Sequence, residues 1–299
     1  GEEQDLMVGN SLVNMYAKCR SLADAIAIFD RMKNRSVFSW TIMVTAFAQN
    51  GQLQRAIQCY RQMCCDGVDP NAVTFVALLA ACSSGGELAA GRKIAARVEA
   101  SGLDSDLIVG SAIVNFYGKC GRLDEAREAF DRMPAKNNNV DVVSWTNMIA
   151  AYVQHGQSSS ALLLAKKMDL EGVKPDEIAM STILGACTAH QATSLGRELH
   201  RRARELGYAS NTIVGNALVF MYGSWGRVDD AARVFQELKN ANSPDSNTFT
   251  AMIAGYARQG RTLQALSLYN EMNLHGVEPR DATFTSIFQA CSHAGFLAK

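Results

Sequence analysis

Apolar positions along the chain fall into blocks of about 35 residues, the spacing of a two-helix repeat. Within most blocks an aromatic residue is followed four residues later by Gly, then five later by Ala and four later by a second aromatic. Tyr117, Gly121, Ala126 and Phe130 follow this pattern, as do Tyr222, Gly226, Ala231 and Phe235, and Tyr256, Gly260, Ala265 and Tyr269. The pattern predicts a helical hairpin. Gly ends the first helix by supplying a left-handed C′ residue. Ala sits where the second helix approaches closely, and the next aromatic fills the groove between them. A second turn is written as Gly67-Val68-Asp69-Pro70, Gly172-Val173-Lys174-Pro175 and Gly276-Val277-Glu278-Pro279. There Pro is expected to close the second helix and aim the chain at the next hairpin.

A longer period overlies the short one. Trp40-Thr41, Trp145-Thr146 and Phe249-Thr250 recur at steps of 105 and 104 residues, and Ala81-Cys82, Ala186-Cys187 and Ala290-Cys291 keep the same register. Three hairpins make one long period. A single hairpin cannot bury its apolar stripe, whereas a stack of about eight buries it against neighbours on both sides. The expected fold is all-α, a right-handed α-solenoid of about eight and a half two-helix repeats spanning 1–299 as one domain.

Composition agrees with an ordered helical array: 48% of the 299 residues are hydrophobic, 19% are charged, and only 5 are Pro. No apolar run approaches the roughly 18 residues of a membrane span. Lys+Arg and Asp+Glu balance at 29 each, which argues against binding carried mainly by phosphate contacts. It leaves room for a locally positive, base-reading groove. The start, Gly1-Glu2-Glu3-Gln4-Asp5, has the character of neither a signal nor a transit peptide, and the far end stops inside a repeat. Both suggest a fragment of a longer chain. Eight Cys without a secretory leader do not suggest a disulfide framework.

The stretch Val142-Val143-Ser144-Trp145-Thr146-Asn147-Met148-Ile149 closely resembles the opening helix of a pentatricopeptide repeat, and Gly172-Val173-Lys174-Pro175-Asp176 resembles its closing turn. The three-hairpin period resembles the plant subfamily that alternates P, L and S motifs. Leu107 to Ser111 through Tyr117 to Gly121 looks like an S motif, and Thr74-Phe75 to Ala81-Cys82, continuing to Gly91-Arg92, like an L motif. The order implied is S 6–36, P 37–71, L 72–106, S 107–141, P 142–176, L 177–211, S 212–245, P 246–280 and a partial L 281–299. Asn137-Asn138-Asn139 reads as a lengthened loop between repeats.

The resemblance implies a sequence-specific single-stranded RNA-binding module taking one base per repeat. The fifth and last residues of each repeat would face one base edge as pairs: Asn10/Ser36, Thr41/Asn71, Val76/Asp106, Ser111/Asp141, Thr146/Asp176, Ser181/Asn211, Asn216/Asp245 and Thr250/Arg280. The second residues, Met7, Phe38, Val73, Ile108, Val143, Ile178 and Ile213, would pack on base faces. By family preference Thr with Asn favours adenine, Thr or Ser with Asp guanine, Asn with Asp uracil, and Asn with Ser cytosine. The implied target is 5′-C-A-n-G-G-n-U-n-3′. Val76 has no group for an edge, and Arg280 and Asn247 depart from the family pattern, with phosphate contact an option for Arg280. Polar residues at repeat ends also cap helices, so for Asp141 and Asp176 capping stands beside base reading.

Several constellations look chemical. Cys187 and His190 are spaced C-x2-H, and Cys291 lies near His293. A zinc site needs about four converging ligands, and no C-x2-C pair completes one. Cys82, Cys187 and Cys291 share one repeat position, and Cys19 and Cys120 another; packing between helices is the expected role of both sets. Neither half of a zinc deaminase signature, H-x-E and P-C-x-x-C, occurs, so no catalysis, metal or cofactor is expected of this stretch. Lys166-Lys167 and Arg201-Arg202 with Arg204 are expected on second helices, as an outer solvated face or as phosphate contacts.

By resemblance the parent is an organellar C-to-U RNA-editing factor of mitochondrion or plastid, with multiple-site organellar editing factors docking on the L motifs. Duplex DNA and membranes are not implied partners. A tetratricopeptide-type protein scaffold, or an RNA processing or stability factor without a deaminase partner, are the alternatives.

Overall fold

The computed structural model describes residues 2–133, 142–190, 192–241 and 244–293. Among the described residues every regular element is a helix. First helices of the hairpins are α1 (Glu2–Lys18), α3 (Val37–Gln49), α5 (Ala72–Gly85), α7 (Leu107–Lys119), α9 (Val142–Gln154), α11 (Glu177–His190), α13 (Thr212–Ser224), α15 (Ser246–Arg258) and α17 (Asp281–His293). Second helices are α2 (Leu22–Arg31), α4 (Leu53–Cys65), α6 (Leu88–Ala100), α8 (Leu123–Arg132), α10 (Ser158–Leu170), α12 (Thr193–Glu205), α14 (Val228–Ala241) and α16 (Thr262–Leu274).

The helices form two compact units, Gly1–Ala151 and Tyr152–Lys299. In the first, α1, α3, α5 and α7 pack side by side in chain order, and α2, α4 and α6 each touch their own first helix and the next one. In the second, α11, α13, α15 and α17 form the same row, with α12, α14 and α16 each bridging two of its members.

The repeating sequence letters map onto repeating contacts. Ala25, Ala56, Ala126, Ala161, Ala231 and Ala265 are almost wholly buried where the second helix meets the first. In the two hairpins 72–106 and 177–211 this position is Gly. A Cβ on Gly91 would meet the Phe116 ring at 2.0 Å, and one on Gly196 would meet Trp225 at 2.3 Å, so a bulkier neighbour from the next hairpin has taken the methyl's place. The aromatic four residues past Ala25, Ala126 and Ala231 packs edge-on against the fourth residue of the next hairpin. Phe29 meets Trp40 at 4.8 Å between ring centroids, Phe130 meets Trp145 at 4.9 Å and Phe235 meets Phe249 at 5.3 Å. These T-shaped pairs, with ring planes 74–77° apart, are the favoured aromatic geometry.

Two turn expectations need correction. Pro does not close the second helices: α4 ends at Cys65, five residues before Pro70. The helix is closed by Gly67 at φ 74°, with the Val68 N–H donating to Met63 O at 3.1 Å, the bonding pattern of a glycine-terminated helix. Pro70 lies in the segment that leads to the next cap. The first-turn glycine also has one substitute. Arg20 takes the left-handed conformation, φ 59°, where Gly121 supplies it in a later repeat. A residue with a Cβ is penalised there, so Arg20→Gly should stabilise the first unit by about 1 kcal/mol. The check is a higher urea midpoint at unchanged m-value.

The cysteines divide. Cys82 and Cys187 are fully buried, and burial pushes both thiols up to about 11. Cys291 and Cys120 are half-buried, and Cys19 is exposed at the end of α1, so packing between helices does not account for Cys19. No group of three or more His, Cys, Asp and Glu that could hold a metal occurs among the described residues. The side chains of His190 and His293, and residues 137–139, lie outside them. No helix among the described residues is long and apolar enough to cross a membrane.

Candidate nucleic-acid interface

Most first helices carry one exposed apolar side chain at the second residue of their repeat. Met7, Phe38, Val73, Ile108, Val143, Ile178 and Ile213 are all solvent-facing, with between 48% and 72% of their surface exposed. Single exposed apolar residues are ordinary on soluble proteins. Here all seven fall at one register of the first helices, which concentrates apolar surface along the row in each unit. At 246–280 the same position carries exposed Asn247.

Among the described residues, Ser36, Asn71, Asp106, Asp176, Asn211 and Asp245, each last in its repeat, cap the helix that follows. Asn71 Oδ1 accepts from the Thr74 N–H at 3.0 Å, Asp176 Oδ1 from Ala179 N–H at 2.7 Å, and Asp245 Oδ1 from Thr248 N–H at 2.9 Å. Ser36 forms a reciprocal capping box with Ser39. Capping is therefore real for Asp176, while Asp141 lies outside the described residues. Capping occupies one oxygen and leaves the rest of the side chain available, so the two roles are compatible.

Two of the expected pairs come together. Thr41 Oγ1 lies 3.4 Å from Asn71 Oδ1, and Asn216 Nδ2 donates to Asp245 Oδ1 at 3.1 Å. Ser111 bonds the Ser144 hydroxyl of the next first helix. Thr146 returns its hydroxyl proton to Val142 O at 2.7 Å. Thr250 bonds both Ser246 O, at 2.7 Å, and the Thr283 hydroxyl, at 2.7 Å.

Other pairs are not joined. Asn10 is 8% exposed, and its Oδ1 has no partner among the described residues, while Ser36 is engaged with Ser39. Arg280 turns its guanidinium onto Asn247 Oδ1 at 2.7 Å. The two residues that break the pattern in 246–280 thus bond each other.

Repeats 72–106 and 177–211 differ as a class. Their last residues, Asp106 and Asn211, follow short 3₁₀ turns, Leu103–Ser105 and Tyr208–Ser210. They cap with ψ near 125°, whereas Ser36, Asn71 and Asp245 cap at 170–177°. Each accepts from two successive backbone N–H groups, those of Ile108 and Val109 and those of Ile213 and Val214. Both bonds converge on Oδ1, a two-donor cap that Asn71 and Asp176 do not make. No hydrogen bond joins Ser181 to Asn211, and half-buried Val76 has nothing to offer Asp106.

One class of residue escaped the pairwise sequence reading. Ser39, Thr74, Ser144, Thr248 and Thr283, each third in its repeat, are completely buried hydroxyls. A Ser or Thr 33 or 32 residues after a polar fifth residue, 29 in the shorter first repeat, is the sequence signal for them. Asp245 is the best-connected member of these clusters. Burial acts to raise its carboxyl, but hydrogen bonds led by the Thr248 N–H, with Asn216 and Asn247, outweigh burial and hold it below the ordinary value. A carboxyl depressed by folding stabilises the fold above its unfolded pKa, and that contribution is lost as pH falls through the native value. Wild type should therefore lose melting temperature below about pH 4 in a component that Asp245→Asn, which still caps, lacks.

The basic groups lie on second helices, and Lys167, Arg201, Arg202 and Arg204 are paired. Arg202 meets Asp169 at 2.5 Å, Arg204 meets Glu237 at 2.5 Å, and Arg201 bonds Glu198 and Glu205. Arg92 with Glu125 at 2.7 Å and Arg132 with Glu99 at 2.9 Å repeat the arrangement in the first unit. These pairs run from one second helix to another or along one helix, which assigns the cations to the outer face.

A model of the PPR repeat family matches residues 35–84, 140–189 and 244–293, and a PPR repeat model matches 10–37, 111–138 and 216–243. Among curated relatives, a chloroplastic pentatricopeptide repeat-containing protein of Arabidopsis thaliana is 36% identical over 293 residues, 98% of this chain and 32% of its own length. A mitochondrial one from the same plant is 33% identical over 297 residues, 99% of this chain and 45% of its own length. The chain thus spans less than half of either relative. In fold it is similar to the crystal structure of the pentatricopeptide repeat protein PPR10 in complex with an 18-nucleotide psaJ RNA element, at TM-score 0.76 and 20% identity, covering 96% of this chain and 42% of PPR10. A tetratricopeptide repeat protein from Parabacteroides merdae is less similar, at TM-score 0.54 and 12% identity over 86% of this chain and 99% of that protein. The hairpin architecture and the matched repeats agree: this chain is an α-solenoid of two-helix repeats and belongs to the pentatricopeptide repeat family.

Proposed function

We propose that this chain is a sequence-specific single-stranded RNA-binding module that takes one base per repeat, within an organellar protein acting in C-to-U RNA editing. The proposed register is the P, L and S series set out above. The observation that carries the reading is the outward polarity of the joined pairs. Asn71 Oδ1 is held by backbone and hydroxyl donors, so its exposed Nδ2 turns outward as a donor. That group suits N1 of adenine, an acceptor, and opposes the N1–H of guanine. Asp245 uses Oδ1 for the cap and Asn216, while Oδ2 accepts from Asn247 Nδ2 at 3.3 Å and keeps a second lone pair for a base beside the remaining Asn216 N–H. An acceptor beside a donor suits uracil, whose N3–H donates and whose carbonyl oxygens accept.

Exposed apolar second residues fit contact with base faces, where stacking contributes roughly 1–3 kcal/mol per base. The caps of 72–106 and 177–211 support treating the L repeats as weak readers. For those repeats the proposed partner is a multiple-site organellar editing factor. An apolar groove of about 700 Å³ between α10 and α12, lined by Leu163, Leu195 and Leu199 among others, supports docking at 177–211. The relatives named as chloroplastic and mitochondrial support an organellar address. The test is Thr146→Asn, which should move the preferred base at that repeat from guanine towards uracil in a panel of RNAs varied at one position. An unchanged preference would remove Thr146 from the base edge.

A further inference from the structure

The geometry points to the buried hydroxyl at the third residue of a repeat as a specificity-determining positioning residue for the preceding repeat: it fixes which hydrogen-bonding groups the preceding fifth and last residues turn to the base. The inference rests on the base reading proposed above. It is carried by Thr248, Thr74 and the contrast at Asn10.

Thr248 is completely buried and lies within hydrogen-bond distance of both Asn216 Oδ1, at 2.5 Å, and Asp245 Oδ1, at 2.8 Å. A hydroxyl has one proton. Asp245 Oδ1 already receives the Thr248 N–H and Asn216 Nδ2, whereas Asn216 Oδ1 has no other donor than Thr248. Giving the proton to Asn216 therefore satisfies every group. The Asn216 amide is then locked, with its oxygen inward and one of its two N–H bonds left for a base.

Thr74 does the equivalent for Thr41 and Asn71. It sits 2.9 Å from Asn71 Oδ1 and 2.8 Å from the Thr41 hydroxyl, while Thr41 itself is 3.4 Å from Asn71 Oδ1. The shorter pair of bonds has Thr74 donating to Asn71 and Thr41 donating to Thr74. Thr41 is thereby left with lone pairs outward, complementary to the adenine N6 amino group, and Asn71 with its N–H bonds outward, complementary to N1.

The first repeat shows the pair without this support. Ser39 spends its hydroxyl on Ser36, accepting from the Ser36 N–H at 3.1 Å and sharing a proton with the Ser36 hydroxyl at 3.1 Å. Asn10 Oδ1 is consequently buried with no partner among the described residues. After repeats 72–106 and 177–211 the third residue is Val109 or Val214, with no hydroxyl at all.

The test compares Thr248→Val, which keeps the shape and removes the hydroxyl, with Thr248→Ser, which keeps the hydroxyl. The readout is the affinity ratio for RNAs carrying U or C opposite repeat 212–245, with melting temperature recorded for each variant. Wild type and Thr248→Ser should prefer U by about tenfold, and Thr248→Val should fall to about twofold or less, because a released amide presents either end. Thr74→Val, read as A against G opposite repeat 37–71, gives an independent result from the other unit if Thr248→Val does not fold. A folded valine variant that retains the full wild-type ratio overturns the positioning role while leaving base reading intact. A wild type with no preference at either repeat overturns base reading and this inference together.

Discussion

Trp145→Ala should destabilise the protein by about 3–5 kcal/mol, the cost of emptying a fully buried indole site. Trp145 is 1% exposed and packs edge-on against Phe130, joining α8 to α9. In a stacked-repeat protein each interface holds the hairpins on both sides, so losing one propagates to its neighbours. Trp145→Phe should be far milder, about 1 kcal/mol, for two reasons. The indole Nε1 is buried with no hydrogen-bond partner among the described residues, so removing it forfeits no bond. The same position one long period later is Phe249, equally buried and packed on Phe235 in the same T-shaped geometry. Urea unfolding of the two variants decides the matter: similar midpoints for both would mean that volume at this site does not hold the stack.

Asn71→Asp should reverse a base preference without disturbing the fold. Both residues cap helices about equally well, so α5 keeps its N-terminal bond and stability should change by less than about 0.5 kcal/mol. The outward group changes from an amide donor to a carboxylate acceptor. Adenine, whose N1 needs a donor, should lose affinity, and guanine, whose N1–H needs an acceptor, should gain it. Contacts of this kind discriminate by about 1–3 kcal/mol, tenfold or more. Competition binding with RNAs that differ only at the base opposite repeat 37–71 reads the change. Retained adenine preference would assign Asn71 to capping alone.

The solenoid was legible because its turns are written in residues with few substitutes. Gly121, Ala126 and Phe130 each answer one steric demand, and the demand recurs in every hairpin. Arg20 was not legible as a turn residue because sequence pattern favours glycine there, and only backbone geometry reveals that the chain accepts the strain. Pro70 misled for a related reason. Proline marks where a helix cannot be, whereas the left-handed Gly67 had already ended α4.

The site was partly legible. Second-position residues are exposed because the same register of successive first helices falls on one side of the row. The fifth and last residues were read as isolated pairs, but the structure embeds them in clusters with a third group from the next helix. Pairwise reading misses such a group because it contributes nothing outward and acts only by consuming a proton. Arg280 and Asn247 looked like two separate departures; their 2.7 Å bond makes them one substitution in two parts.

Base reading is tested most directly by the affinity of the chain for three nucleic acids at one fixed salt concentration: an RNA containing 5′-CAnGGnUn-3′, a scrambled RNA of identical composition, and duplex DNA of the same length. Edge recognition by the joined pairs predicts that the first binds at least about tenfold more tightly than either of the others. Equal affinity for all three would contradict it and leave a helical stack whose polar repeat ends serve only as caps.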